Sequence, residues 1–406
     1  MVRTAPSPTP LLVLSLLLLH LPSPLLAALQ ERPSPPDDPS HFMARVEAPR
    51  EVGAEGPAGL SLQELMEAAG VPGVSVAVIR DRRIHWTRGY GVADVETGTP
   101  VEEGTLFQAA SISKPVTAMA ALRLAREGRL DLDGDVNLLL RSWQVPESRH
   151  NRGTPVTPRA LFSHTPGADD GFGFPGYDPA APRPEVVEIL DGEGPSNVGP
   201  VLFARPPYQA YKYSGGGSTI MQLALTELTG LPFVELMRHL VLDPLGMDAS
   251  TYRQPLPESW EERAARAHDG GGQVREAPWH VYPELAAAGL WTTAEDLARF
   301  VVEVQEALQG PEGKFLDRAQ ALEMVTPVGV GPFGVGFTVE KRGEGWYFSH
   351  GGSNRGFRGR IVGHLRKGYG LAVLTNADNG GAVIQEIEAR VAAAYGWDLL
   401  DEPLRR

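Results

Sequence analysis

The chain has 406 residues, of which 42% are hydrophobic and 21% are charged, and its formal net charge is −13. This acidic balance argues against binding to nucleic acid or to an anionic membrane surface, because both attract basic patches. Cysteine is absent, which excludes disulfides, thiolate catalysis and cysteine-ligated metals.

The N-terminal residues predict an export signal. Arg3 gives a positive start, and the leucine-rich run 11–21 has the length of a signal-peptide core and is short for a membrane span. Ala27 and Ala28 offer small residues near a cleavage site. We expect residues 1–29 to be a signal peptide, with a retained N-terminal anchor as the alternative. The protein would then be periplasmic or secreted, with membrane contact only through an uncleaved N-terminal segment.

The next segment has the composition of a linker. Residues 30–59 are rich in Pro, Glu and Asp ("ERPSPPDDPS", "EVGAEGPAG"), which predicts a flexible linker outside the core. We expect one folded domain at residues 60–396 and a C-terminal tail at residues 397–406.

Helix and strand patterns follow in an order that predicts an α+β fold. "LSLQELMEAAG" has helical spacing, and "GVSVAVIRDRRIHWTRGYGVAD" alternates as a hairpin that turns at Asp81-Arg82. The middle of the chain is helical and loop-rich. Strand character returns in "FGVGFTVEKRG", "GWYFSHGG", "FRGRIVGHL" and "GLAVLTNAD", before a closing helix at about 381–394. Two strands thus precede the helical middle and about three follow it. The simplest arrangement is an antiparallel sheet built from N- and C-terminal segments, flanked by helices, with an inserted mainly helical region.

A serine and a lysine stand together at the start of one predicted helix. In "AASISKPVTAMA", Ser111 and Lys114 are three residues apart, a spacing that puts both on one helix face. Pro115 is tolerated only in a first turn, so Ser111 lies at the N-terminus, where the helix dipole favours negative charge. Burial of a lysine away from water lowers its pKa, so that the neutral amine can accept the serine proton. Taken alone, this four-residue pattern favours the alternative of an N-cap serine beside a solvated lysine.

A second stretch places a tyrosine before glycines and a helix. In "YKYSGGGSTIMQLALTELTG", Tyr213 precedes three glycines and a helix predicted from about Ser218 to Thr229. A tyrosine at such an elbow can move a proton. The alternative is a packed aromatic residue before a glycine turn.

A third stretch places a histidine at the end of a strand. In "WYFSHGGSNRGFRGRIV", His350 is followed by Gly351 and Gly352, which leave room for a bound chain. Backbone amides near Ser353 can donate to an oxyanion. The alternative is a hairpin turn with a polar histidine at its edge.

The order and spacing of these three stretches resemble the serine β-lactamase and penicillin-binding protein superfamily. Within it, the chain is most similar to the branch of class C β-lactamases, D-alanyl-D-alanine carboxypeptidases, D-aminopeptidases and family VIII esterases. The resemblance extends from about Leu62 to Ala394. The phrases that carry it are "FQAASISKPVTAMA", "LFSHTPG", "FVELMRHLVLDPLGM", "GLWTTAEDLARFV" and "HGGSNRGFRG".

This resemblance implies a role for each residue. Ser111 is the acylated nucleophile and Lys114 its base partner, while Tyr213 takes the tyrosine position of the Tyr-x-Asn motif and moves protons to and from the leaving group. His350 takes the position of the lysine in Lys-Thr-Gly, where it orients substrate or helps the proton network. The backbone amides of Ser111 and Ser353 would form the oxyanion hole.

The chain departs from the family pattern at two places. Gly215 replaces the asparagine of Tyr-x-Asn, and His350-Gly351-Gly352 replaces Lys-Thr-Gly, which removes a permanent cation. Both changes weaken a β-lactamase interpretation. We expect the substrate to contact Gly215, Gly351, Gly352 and Asn354.

These features together predict a serine hydrolase that forms an acyl-enzyme on Ser111. Its substrate would be a small ester, a D-amino-acid peptide or, least favoured, a β-lactam, bound in a pocket shaped by the loops at 153–207. The alternative is a catalytically silent binding or scaffold protein of the same fold. No cofactor, metal or nucleic-acid partner is expected. "DLDGDVNLLL" lacks the spacing of a calcium loop, and the resemblance implies a structural role for His164 in "LFSHTPG", outside the site.

Overall fold

The structure is a computed structural model that describes residues 38–170, 173–310, 315–343 and 345–400. The strands are β1 (Gly73–Arg80), β2 (Arg83–Asp94), β3 (Thr99–Pro100), β4 (Phe107–Gln108), β5 (Trp291–Thr292), β6 (Thr338–Arg342), β7 (Gly345–Asn354), β8 (Phe357–His364) and β9 (Gly370–Thr375). The helices are α1 (Pro39–Glu47), α2 (Leu62–Ala69), α3 (Ser113–Arg126), α4 (Pro158–Phe162), α5 (Val186–Asp191), α6 (Gly215–Thr229), α7 (Phe233–Met237), α8 (Asp243–Leu245), α9 (Glu258–Glu261), α10 (Leu285–Ala288), α11 (Ala294–Gln309), α12 (Arg318–Val325) and α13 (Gly380–Tyr395).

The main sheet joins the early and late segments of the domain. Its strand order is β3-β2-β1-β9-β8-β7-β6, and all neighbouring strands are antiparallel. The central pair, β1 and β9, therefore brings together strands from opposite ends of the sequence. This confirms the predicted α+β architecture. Four strands, β6 to β9, follow the helical region instead of about three.

The first elements form as their local sequence predicts. Asp81 and Arg82 connect β1 to β2 with φ angles of +52° and +58°. Positive φ angles at both central residues are typical of a type I′ turn, whose twist matches the twist of the two strands that it connects. α2 begins after Ser61, which forms a capping box with Glu64, and ends at Gly70 in the left-handed conformation.

Helices cover both faces of the main sheet. On β1, Ala77 and Ile79 join a core that includes α3 and α11. Val74, Val76 and Val78 point to the other face and pack with α1, α2 and α13. Because β1 is buried on both faces, its sequence is apolar at nearly every position.

Residues 39–59, here called the N-terminal arm, pack on the domain, which corrects the predicted linker. α1 buries Phe42 and Val46, and the Phe42 ring stacks on Tyr395 of α13 with centroids 4.1 Å apart. Phe42 and Val46 are four residues apart and therefore lie on one face of α1. The composition does not reveal this apolar face because the surrounding residues are rich in Pro, Glu and Asp.

A buried arginine fixes the rest of the arm. Arg390 of α13 has no exposed side-chain surface, and its guanidinium donates to the backbone carbonyls of Val46, Pro57 and Leu60. Backbone acceptors leave no mark in a sequence, so composition alone could not predict this attachment. The part of the predicted linker at 30–37 and the predicted signal at 1–29 lie outside the described residues.

The C-terminal boundary also differs from the prediction. Trp397 stacks on Tyr369 with centroids 4.6 Å apart, and Leu399 is buried. The domain therefore continues past residue 396, and the predicted tail is corrected for residues 397–400. Residues 401–406 lie outside the described part of the chain.

The region between β4 and β6 is mainly helical, as predicted. α6 begins at Gly215, three residues before the predicted start, because Ser214 caps it by accepting from the Gly217 N–H at 2.8 Å. In the described part of the chain, no single helix is long and apolar enough to cross a membrane. The segments 215–229 and 233–245 reach that length and composition only as a pair bent by 84°.

Candidate active site

Ser111 lies in a tight turn between β4 and α3. The turn is a 3₁₀ helix, Ala110–Ile112, so Ser111 precedes the α-helix by two residues. Ala110 has a φ of +51°, a conformation that costs a non-glycine residue about 1–2 kcal/mol. Such strain persists where the surrounding structure fixes it, often at functional sites. Here the flanking Ala110 and Ile112 are buried while Ser111 is partly exposed.

Lys114 is buried directly beside Ser111. Its Nζ donates to Ser111 Oγ at 3.0 Å and to the Ala287 carbonyl at 2.8 Å, and the residue is 3% exposed. Burial lowers the pKa of Lys114 to about 7, although the nearby Asp170 carboxylate opposes this shift. At neutral pH a substantial fraction of the lysine is therefore an unprotonated amine in contact with the serine hydroxyl.

Tyr213 closes the other side of Ser111. Lys114 Nζ lies 5.0 Å from the centroid of its ring. Burial raises the pKa of the Tyr213 phenol, while a hydrogen bond with Ser111 lowers it by a smaller amount. The phenol therefore stays protonated at neutral pH. The structure thus brings Ser111, Lys114 and Tyr213 together, although Tyr213 is about a hundred residues from the pair in sequence.

The second half of β7 presents an edge beside this triad. β6 pairs with β7 only as far as Ser349, and no described strand pairs with the remainder on that side. The backbone carbonyl of Trp346 accepts from the Leu365 N–H, so the backbone groups of Trp346 point toward β8. Because backbone groups of alternate residues point to opposite edges of an antiparallel strand, those of Gly351 and Ser353 point away from β8. The Ser353 amide therefore points outward on the side where the sequence predicts an oxyanion hole.

A cavity of about 960 Å³ opens in front of Ser111. None of the described residues of the loops at 153–207 lines this cavity. The expectation that these loops shape the pocket is therefore corrected. Walls come instead from the Ser111 turn, Tyr213, the edge of β7, the N-terminal arm and α13. The lining includes Ser111, Tyr213, Phe333, His350, Gly351, Gly352, Ser353, Arg50, Glu55, Pro57, Ala58, Arg360 and Glu388.

Comparison with known proteins identifies the family. A statistical model of the β-lactamase family matches residues 61–395, which is most of the chain. The chain belongs to the β-lactamase family. Esterase EstB of Burkholderia gladioli is 29% identical to it over 317 residues, covering 71% of this chain and 76% of the esterase. With a serine, a lysine and a tyrosine in contact, this member of the family is a serine hydrolase.

Solved structures share the fold. SurE superposes with a TM-score of 0.69 and 24% identity, covering 91% of this chain and 79% of that one. The D-amino acid amidase of Ochrobactrum anthropi SV3, complexed with D-phenylalanine, gives a TM-score of 0.61 and 22% identity, covering 82% of this chain and 98% of that one. The predicted superfamily and fold are confirmed.

The glycine at the Tyr-x-Asn position of this β-lactamase-family chain has no room for a side chain. A Cβ on Gly215 would lie 2.7 Å from the Phe174 ring. Gly215 is buried at the first turn of α6 and is not among the cavity-lining residues. The structure therefore gives Gly215 a packing role, which corrects the expectation that it contacts substrate.

His350 replaces the family's lysine with a neutral ring. The Gly351 carbonyl lies 2.7 Å from Nδ1, and because a carbonyl only accepts, the ring proton is on Nδ1. Among the described residues, Nε2 has no hydrogen-bond partner. Burial is the main cause that lowers the pKa of His350 to about 3, and Lys114 lowers it further. The site therefore has no fixed cation at this position.

Asn354 does not face the cavity, which corrects its assignment as a substrate-binding residue. Its buried amide donates to Gln108 Oε1 at 2.8 Å and to the Ala288 carbonyl at 3.1 Å. Asn354 thereby ties the end of β7 to β4 and α10. Gly351 and Gly352, in contrast, do line the cavity.

Asp170 is a residue of the site that sequence reasoning missed. Ser214 Oγ donates to one carboxylate oxygen and the Gly216 N–H to the other, each at 2.6 Å. The carboxylate thus lies at the N-terminus of α6, where the helix dipole favours it, and it raises the pKa of Lys114. A single aspartate in a loop carries no motif that could have identified it.

Two aromatic residues near Tyr213 were also missed. His164, assigned to the scaffold by the resemblance, stacks on Tyr213 with centroids 4.2 Å apart. Phe333 lines the cavity and lies with its centroid 5.8 Å from that of His350. The phrases "LFSHTPG" and "GPFGVGF" contain them but give no spacing that links them to Tyr213. In the described part of the chain, no three His, Asp or Glu side chains are grouped as metal ligands.

Proposed function

We propose that this β-lactamase-family protein hydrolyses esters or amides through an acyl-enzyme on Ser111. The observation that carries the proposal is the 3.0 Å contact between Ser111 Oγ and the buried Lys114 amine. A lysine with a pKa of about 7 is matched to a general base at neutral pH.

Acylation begins with transfer of the Ser111 proton to neutral Lys114. The Oγ attacks the carbonyl carbon, a C–O bond forms, and the amides of Ser111 and Ser353 donate to the developing oxyanion. The bond to the leaving group then breaks as the Tyr213 phenol gives it a proton. The Lys114 ammonium returns a proton to the Tyr213 oxygen, so Lys114 and Tyr213 end the step in their starting protonation states while Ser111 carries the acyl group.

Deacylation runs through the same residues with water as the nucleophile. Water enters from the open cavity and gives a proton to Lys114 through Tyr213 as it attacks the acyl carbon. The ester bond to Ser111 breaks, and the proton passes to Oγ. The products are a free carboxylic acid and the original enzyme.

The neutral His350 supports esters and D-amino-acid amides that lack a carboxylate over β-lactams. A β-lactam or a peptide ending in a free carboxylate carries a negative charge, which a cation at position 350 would bind. His350 is neutral and has an unpartnered Nε2, which can only accept. The names of two similar proteins, an esterase and a D-amino acid amidase, agree with this order.

The silent-scaffold alternative is not favoured. Burying a lysine amine costs stability, and strongly shifted pKa values cluster at functional sites, so the buried Lys114 favours an active enzyme. Here that amine contacts the one partly exposed serine of the turn.

The test is covalent labelling followed by intact-mass measurement. A fluorophosphonate and a panel of short-chain esters, D-alanyl peptides and labelled penicillin are incubated with wild type, Ser111→Ala and Ser259→Ala. Ser259 is an exposed serine of α9 and serves as the matched control. We expect Ser111→Ala to lose the adduct and ester turnover, while Ser259→Ala keeps both. Turnover that survives in Ser111→Ala would reject the proposal.

Export is part of the same proposal. Residues 1–29 support a signal peptide or an N-terminal anchor that delivers the enzyme to the periplasm or the medium. Mass spectrometry of the mature N-terminus and fractionation of expressing cells separate the two cases. An intact N-terminus in the cytoplasmic soluble fraction would reject both.

A further inference from the structure

His164 contacts the Tyr213 ring and hydrogen-bonds to the backbone of the residues on both sides of it. The His164 carbonyl accepts from the Lys212 N–H at 2.9 Å, and Nδ1 accepts from the Ser214 N–H at 3.2 Å. The imidazole stacks on the phenol with centroids 4.2 Å apart and planes 29° from parallel. One residue thus binds the residue before Tyr213, the residue after it, and its ring.

The backbone of His164 is bent into an unusual conformation to make these contacts. It follows α4 with a φ of +58° and is 2% exposed. The left-handed region is unfavourable for residues with a Cβ, although histidine and asparagine enter it more often than most. Glycine would adopt the turn freely, so the turn alone does not call for a histidine.

The contacts require an uncharged imidazole. Nδ1 can accept from Ser214 only when it carries no proton, which leaves the ring proton on Nε2. Burial is the main cause that holds the pKa of His164 well below its ordinary value, and the nearby Lys114 and His350 lower it further. The imidazole therefore stacks on the phenol without placing another charge beside Lys114.

We propose that His164 is a positioning residue that holds the Tyr213 phenol in place for proton transfer to the leaving group. This inference rests on the role of Tyr213 in the proposed function. His164 lies behind Tyr213 and is not among the residues that line the cavity, so it acts through the tyrosine. Phe333 packs edge-on against the imidazole, with centroids 4.7 Å apart, and restrains its rotation.

Leaving-group dependence separates this role from a merely structural one. An ethyl ester releases a poor leaving group that must be protonated, whereas a p-nitrophenyl ester of the same acid releases an anion that needs no proton. The ratio of the two kcat/KM values therefore measures the contribution of the Tyr213 phenol. A variant that only destabilises the fold changes both values alike and leaves the ratio unchanged.

Two substitutions separate the contribution of the stacked ring of His164 from that of its hydrogen-bond acceptor. His164→Asn keeps a residue that tolerates the left-handed backbone and offers an oxygen to the Ser214 N–H, but removes the stacked ring. His164→Phe keeps a ring and removes the acceptor. We expect each to lower kcat/KM for the ethyl ester by about tenfold or more, and for the p-nitrophenyl ester by less than about threefold. His268→Asn replaces another buried histidine, which contacts Asn376, and should leave the ratio unchanged.

A double-mutant cycle with Tyr213→Phe decides the question. In that background the phenol is gone, so His164→Asn should cause no further change in the ratio. If the two effects multiply, or if both His164 variants leave the ratio at the wild-type value, the inference is wrong. If Tyr213→Phe itself leaves the ratio unchanged, the role of Tyr213 in the proposed function fails as well, and the two failures are thus distinguished.

Discussion

Two glycine-bearing stretches flank Ser111, and they differ in what surrounds them. At the start of α6, a Cβ on Gly215 would lie 2.7 Å from the Phe174 ring, and one on Gly216 would lie 2.4 Å from the Val201 side chain. Those glycines are enclosed by neighbouring side chains. They let the chain pack tightly behind Tyr213.

The stretch at the end of β7 is closed on one side and open on the other. A Cβ on Gly352 would lie 2.2 Å from the Ala109 carbonyl oxygen, whereas one on Gly351 would meet nothing closer than 3.9 Å. Gly352 therefore lets β7 approach the turn that carries Ser111, while Gly351 faces the cavity. The first stretch supports Tyr213, the proposed proton donor, and the second forms an edge of the cavity that contacts the Ser111 turn at Gly352.

Gly352→Ala should have the largest effect. The added methyl group would meet backbone atoms that cannot move independently, so β7 must shift away from the Ser111 turn. A shift of about 1 Å in a catalytic geometry costs on the order of 100-fold in rate. We expect kcat/KM for ester hydrolysis to fall by about that factor, with circular dichroism confirming that the fold remains. Activity near that of wild type would show that β7 and the turn are not in close contact.

Asp170→Asn should have the next largest effect, because Asp170 secures the enclosed stretch. The substitution removes a charge that raises the pKa of Lys114, so that pKa falls below about 7. The unprotonated amine then persists to lower pH, and the acid limb of the kcat/KM profile should move to lower pH. Loss of the charged hydrogen bonds should also cost about 1–3 kcal/mol in urea unfolding. An acid limb that moves to higher pH would contradict this assignment.

Gly215→Ala tests whether Phe174 fills the space at the Tyr-x-Asn position. The methyl group would press on a movable ring instead of on backbone, so we expect a loss of about 1–2 kcal/mol in the free energy of unfolding. Phe174→Ala in the same chain should remove most of this penalty, as measured by a double-mutant cycle. Additive losses would show that the two residues are not in contact.

Gly351→Ala should have the smallest effect and is the matched control for Gly352→Ala. Its Cβ would project into open space, so the strand should keep its position. We expect kcat/KM for a small ester to change by less than about threefold, within the range of a surface substitution. A loss as large as that of Gly352→Ala would remove the distinction between the two glycines.

The proximity of the proposed catalytic residues could be anticipated from the sequence because their signals are local. Ser111 and Lys114 share a helix face, and Tyr213 and His350 each stand at a glycine-marked boundary between elements. The order of these residues along the chain indicated the family, and the family resemblance supported the predicted fold. Hairpin, closing helix and antiparallel sheet followed from alternation and spacing.

The supporting contacts could not be predicted because they join positions far apart in sequence. Asp170 and His164 act through a cap and a stacked ring that no local pattern encodes. Arg390 holds the N-terminal arm through backbone carbonyls, and composition suggested a linker there. Asn354 had the polarity of a substrate ligand, but its amide is bonded inside the fold.

The pH dependence of Ser111 acylation tests the central claim most directly. If the buried Lys114 amine deprotonates Ser111, the rate of fluorophosphonate labelling should rise with pH through about 7 and level off above it. This direction follows because only the unprotonated amine can accept the serine proton. A rate that is flat across pH 7, or that rises only near the ordinary pKa of lysine, would contradict the account.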